Sequence, residues 1–151
     1  MKIGILRETK LPLDSRVALT PKQCAGLINK YPKISLVVQS SSSRCFSDEE
    51  YQLQGVKIVD DVTDCDILFG VKEINIENLI PNKTYLYFSH TIKKQPYNRN
   101  LLKKMIDLKI KMVDYEVLKN LDGSRILGFG RYAGIVGAYM GTSAWMSNRD
   151  K

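Results

Sequence analysis

Six short runs rich in β-branched and aromatic residues, at 2–7, 34–38, 56–59, 67–71, 84–89 and 109–114, recur along this chain. Helix-like or polar segments separate most of them, and this recurrence constrains the fold more than any other feature. A chain that alternates strand and helix in this way is expected to build an α/β domain: an open, mainly parallel sheet flanked by helices. Length agrees, since 151 residues make one domain, and folding at that size buries roughly 70% of the surface of the extended chain.

The helix starts are signalled locally. Thr20 followed by Pro21 reads as an N-cap with proline in the first turn, and the helix is expected over 22–30 with Leu27 and Ile28 inward. Ser47-Asp48-Glu49-Glu50 reads as a capping box with acids in the first turn, closed by Gly55. A third helix is expected from about Pro96 to Leu108, and a fourth, rich in Ala and Gly and suited to packing against a neighbour, from about Tyr132 to Trp145. Asp122-Gly123 signals a hairpin turn.

Composition narrows the classes of function. The chain has 44% hydrophobic and 26% charged residues, near the average for globular domains. Its net charge of +7 invites an anionic partner. The lysines, however, fall in scattered pairs such as Lys93-Lys94 and Lys103-Lys104. That spacing favours a small polycarboxylate over a nucleic acid. Cys24, Cys45 and Cys65 form an odd set without C-x-x-C spacing, and one histidine completes no zinc set, so a reducing, cytoplasmic setting without a metal is expected. No apolar stretch is long enough for a membrane span or a signal sequence.

With those strands in a parallel sheet, Arg16, the Lys72-Glu73 pair, His90 and Glu116 all follow carboxyl ends of strands, the edge where open sheets bind ligands. Their types suit chemistry at a nitrogen-bearing carbon. A lysine can act as a base when burial or cationic neighbours favour its neutral form, a histidine moves a second proton, and an arginine grips a carboxylate. Each also has a plainer account taken alone: Lys72-Glu73 as an exposed strand end, His90 as a hydrogen-bonded loop residue, Glu116 as a turn cap and Arg16 as a surface ion-pair partner. Gly128-Phe129-Gly130-Arg131-Tyr132-Ala133-Gly134 departs from the G-x-G-x-x-G spacing, and no second strand with a terminal acid follows. These glycines are read as a helix-packing device.

Five segments occur in an order that resembles a known family: Ile3-Gly4-Ile5-Leu6-Arg7-Glu8-Thr9-Lys10, Arg16-Val17-Ala18-Leu19-Thr20-Pro21, Phe46-Ser47-Asp48-Glu49-Glu50-Tyr51, Gly70-Val71-Lys72-Glu73 and Phe88-Ser89-His90-Thr91-Ile92-Lys93-Lys94. They are similar to the amino-terminal, flavodoxin-like substrate domain shared by alanine dehydrogenase, the transhydrogenase α subunit and lysine-forming saccharopine dehydrogenase. Asp114-Tyr115-Glu116, Asp122-Gly123-Ser124-Arg125 and Phe129-Gly130-Arg131-Tyr132-Ala133-Gly134 favour the saccharopine branch.

The resemblance implies an oxidoreductase that converts saccharopine to lysine and 2-oxoglutarate with NAD(P). In that reading Lys72 matches the base acting on the secondary amine, and His90 the acid–base group for imine hydration. Glu73 and Glu116 match acids that tune them, and Arg16 and Arg125 match contacts to substrate carboxylates. It further implies a substrate domain over 1–140, a divergent tail over 141–151 and no nucleotide-binding Rossmann domain in this chain. No bound cofactor or metal is expected here. The expected partners are an amino-acid or dicarboxylate substrate, with a nucleotide-binding domain or a second copy against the carboxyl-terminal helix. The alternatives are a non-catalytic interaction module, as a remnant or a subunit, and an alanine dehydrogenase-like domain.

Overall fold

Alternation of apolar side chains decides how the first strands sit. In β1 (Lys2–Ile5) and β2 (Ser35–Gln39), Ile3, Ile5, Leu36 and Val38 face one way and Val37 the other. Both faces are buried, as a sheet covered on two sides requires. A computed structural model describes residues 1–148; the last three residues of the expected divergent tail, 149–151, lie outside the described residues.

The remaining strands are β3 (Lys57–Val59), β4 (Ile67–Lys72), β5 (Thr84–Phe88) and β6 (Lys111–Asp114). All neighbours are parallel, in the order β3-β2-β1-β4-β5-β6. The open parallel sheet with flanking helices is the architecture expected from the sequence. Its order is that of the doubly wound dinucleotide fold, with six strands where the flavodoxin order 2-1-3-4-5 has five. The chain runs outward from β1 through β2 to β3, returns to β4 beside β1, and runs outward again. The switch point of this order lies between β1 and β4, the place where open parallel sheets commonly bind ligands.

The helices α1 (Pro21–Lys30) and α2 (Asp48–Leu53) cover one face, where Cys24 and Tyr51 join Ile3, Ile5, Leu36, Val38 and Val56. Both begin with the capping boxes read from the sequence. The Thr20 and Ser47 hydroxyls accept from the backbone of Gln23 and Glu50, whose side chains accept from the cap N–H groups in return. Leu27 and Ile28 pack against this layer as expected. On the other face Leu101 and Met105 of α3 (Arg99–Asp107) pack with Leu68, Leu79, Tyr85 and Tyr87. The third helix is shorter than expected, because residues Pro96–Asn98 form a 3-10 turn before it.

The structure divides into two units, Met1–Tyr115 and the segment from Glu116 onward. In the second, a β-bridge between Lys119 and Arg125 closes a turn in which Gly123 has φ of 82° and Ser124 donates to Asp122. Helix α4 (Gly130–Ser147) begins two residues before the expected position. An added Cβ at Gly130, Gly134, Gly137 or Gly141 would meet open space. Within this chain those glycines therefore bring no neighbour into close approach.

Gly4 is a position where close approach does fix the residue. A Cβ there would lie 3.0 Å from both Cys65 Sγ and Leu68 Cδ2. Gly4→Ala is predicted to lower unfolding stability by about 1–3 kcal/mol through overpacking, measured by urea denaturation. An unchanged midpoint would contradict this packing.

Candidate functional site

The loop after β1 doubles back over the switch point, and a carboxylate fastens it there. β1 reaches only as far as a Leu6 N–H bond to the Phe69 carbonyl at 2.8 Å. The register between β4 and β5 then shifts between Phe69 and Lys72. Beyond that point the Val71 and Lys72 N–H groups donate instead to Glu8 Oε1 and Oε2, at 2.7 and 2.9 Å. Burial pushes the Glu8 carboxyl up from its ordinary range, and these two donors partly offset that.

With the end of β4 held, Lys72 Nζ lies 3.1 Å from Asp14 Oδ2. Asp14 is buried and grips Arg16 in a fork: Arg16 Nε donates to Oδ1 at 2.9 Å and Nη2 to Oδ2 at 2.6 Å, while the Arg16 backbone N–H donates to Oδ1 at 3.0 Å. Those hydrogen bonds from Arg16, aided by Lys72, hold the Asp14 carboxyl well below the usual aspartate range. Arg16 and Lys72, which are distant in sequence, thus meet through a residue that sequence reasoning missed. Asp14 carries no signal beyond its place two residues before Arg16, and only the folded loop shows that it faces Lys72.

Asp14 is thus shared between the two cations, with the guanidinium on both of its oxygens and Lys72 on one. The Arg16 side chain is 43% exposed.

Glu73 turns away from this cluster. One of its oxygens pairs with Lys10, and the other, Oε2, is buried without a hydrogen-bond partner in the protein. It lines a cleft of about 310 Å³ with Lys10, Tyr97 and Asn98. A separate cleft of about 250 Å³, lined by Arg7, Thr9, Gln39 and Asp61, includes none of the six expected site residues.

His90 stands on the neighbouring strand end, two residues beyond Phe88, the β5 partner of Lys72 in the sheet register. Its ring stacks on that of Phe88 with centroids 6.4 Å apart. Lys93 Nζ lies 3.2 Å from His90 Nδ1. An ammonium can only donate in such a contact. Glu116 and Arg125 belong to the second unit. There Glu116 is buried in the short turn Tyr115–Val117, and Arg125 is exposed as the bridge partner of Lys119.

Among the described residues no group of three His, Cys, Asp or Glu is placed to hold an ion. The Gly128–Gly134 segment opens α4 after a lone bridge, and an added Cβ at Gly128, Gly130 or Gly134 would meet open space. No described helix is long and apolar enough to cross a membrane.

The six-stranded parallel sheet with flanking helices defines a doubly wound α/β domain. The chain belongs to the alanine dehydrogenase/PNT N-terminal domain family, whose profile matches residues 4–136. It is 37% identical over 139 residues to the alpha-aminoadipic semialdehyde synthase of Arabidopsis thaliana, covering 89% of this chain and 13% of that protein. It is 32% identical over 146 residues to the L-lysine-forming, NAD(+) saccharopine dehydrogenase of Candida albicans, covering 93% of this chain and 38% of that one. Among solved structures, transhydrogenase from Sinorhizobium meliloti superposes with a TM-score of 0.65 at 15% identity, over 80% of this chain and 36% of that one. An L-alanine dehydrogenase does so with 0.66 at 16%, over 82% and 35%. These last two show the shared fold. The chain spans well under half the length of each of these relatives.

The sign of the Asp14 shift yields a pH prediction. A carboxyl depressed in the folded state stabilises above its ordinary value of 3.8 and loses that contribution as pH falls below it. Asp14→Asn should therefore cost about 1–2 kcal/mol near neutral pH and distinctly less near pH 3, as read by urea unfolding. A cost independent of pH would contradict the assignment of the charge to Asp14.

Proposed function

We propose that this chain is the substrate-binding, proton-transferring half of an NAD(P)-dependent amino-acid oxidoreductase that takes saccharopine to lysine and 2-oxoglutarate. The observation that carries the proposal is the meeting of Arg16 and Lys72 on Asp14 at the sheet's switch point, with His90 on the adjacent strand end. Similarity to saccharopine dehydrogenase and aminoadipic semialdehyde synthase supports the choice of substrate over alanine.

In this reading Arg16 receives a substrate carboxylate, and Arg125 serves a second one. Lys72 takes the proton of the secondary amine. His90 moves protons during hydration and breakdown of the imine. Glu73 and Glu116 adjust the charge around these two groups. Oxidation of the amine needs a nicotinamide acceptor. The proposal gives this chain only substrate holding and proton transfer, with NAD(P) held by a nucleotide-binding domain.

A second reading, a non-catalytic interaction module, is favoured by α4, where Ile135, Val136, Tyr139, Met140 and Trp145 are all exposed. In it the helix packs on a second copy or on another chain.

Titration of the labelled chain with saccharopine, 2-oxoglutarate, alanine and NADH, followed by NMR, separates the two. Shifts at Lys72, His90 and Arg125 with saccharopine or 2-oxoglutarate, and none with NADH, are expected. Silence with all four ligands favours the interaction module. Where the chain is joined to a cofactor domain, His90→Gln should lower turnover by about 10- to 1,000-fold with little loss of stability. Unchanged turnover would remove His90 from the mechanism.

A further inference from the structure

His90 adopts a left-handed backbone conformation, φ 56° and ψ 9°, which residues with a Cβ take in only a few per cent of cases and which Asn82, Lys94 and Lys109 share in this chain. The residue before it is fixed. Ser89 is fully buried, donates to Asp114 Oδ2 of β6 at 2.5 Å, and accepts from the Thr91 N–H at 3.2 Å. The carbonyl of His90 itself is held twice. Lys93 N–H donates to it at 3.1 Å as part of the local turn, and Asn98 Nδ2 donates to it at 3.1 Å from eight residues away.

Asn98 is where this arrangement departs from local convention. It is 4% exposed and stands at the N-cap of α3, a position where asparagine ordinarily accepts from the helix's first N–H groups. Here it makes no side-chain cap bond, and its own backbone is already helical, with φ −83° and ψ −8°. Its amide donor goes to the His90 carbonyl instead. An aspartate would cap as well but offers the carbonyl no donor, and a serine is too short to span the same distance in place of the amide.

We propose that Asn98 is a positioning residue that keeps His90 in its left-handed conformation and so aims the imidazole at the carboxyl edge of the sheet. The consequence for proton transfer rests on the reading of His90 as the acid–base group, whereas the conformational claim stands apart from it. Ser89 and Asp114 hold the approach to His90 from one side, and Asn98 holds its exit from the other.

The chain has a single histidine, so its ring signals are read without ambiguity. In ¹³C,¹⁵N-labelled Asn98→Ala, the His90 Cα and Cβ shifts are expected to leave the left-handed range, and the ring resonances to move to those of a solvent-mobile histidine. Amides of the sheet should keep their positions. Asn98→Leu, which refills the buried volume without a donor, should give the same result and serves where the alanine variant does not fold. A loss of stability with His90 backbone and ring shifts unchanged would overturn the proposal, leaving Asn98 a packing residue. Saccharopine is then added to both chains. A wild-type His90 that ignores it, together with a released His90 in the variant, refutes the acid–base reading and keeps the positioning role. A responsive wild-type His90 that is unaltered by either substitution does the reverse.

Discussion

The Glu8 carboxylate is the constraint on which the site geometry depends. Where β1 ends and β4 continues, the backbone N–H groups of Val71 and Lys72 have lost their strand partner, and a buried donor left unpaired is costly. Glu8 satisfies both of them. In doing so it lays the loop after β1 along the end of β4, which brings the residues further along that loop, Asp14 and Arg16, up to Lys72. A structural need of the sheet, satisfaction of two amide groups at a switch point, thereby assembles a cluster of two cations and one carboxylate there.

In that cluster Asp14 is one carboxylate serving two cations, and Arg16 holds it by four hydrogen bonds, three from the guanidinium and one from the backbone N–H. The two strand ends contribute different things: the β1 and β4 loops supply charge, and the β5 end supplies a histidine fixed by backbone contacts on both sides.

Much of the fold was legible because its signals are local. Thr20 and Ser47 announce their helices through contacts within three residues, and the apolar alternation of Leu36, Val37 and Val38 states which side chains face which layer. The third helix was less legible at its start, since Pro96 permits either a 3-10 or an α turn. Arg16, Lys72 and His90 were legible as strand-end residues, but the link between the first two was not. Asp14 sits in a loop whose path is set by Glu8, a contact across 63 residues to Val71. The left-handed His90 was equally hidden, because the contact on its carbonyl comes from the side chain of Asn98, a residue whose sequence position suggests a helix cap.

The central claim, that the switch point is where the substrate sits, is tested most directly by a crystal structure of the chain with saccharopine. The account predicts one substrate carboxylate on the Arg16 guanidinium and the secondary amine within hydrogen-bond reach of both Lys72 and His90. Saccharopine bound in the cleft beside Arg7 and Asp61, or bound with Arg16 and Lys72 both untouched, would contradict it.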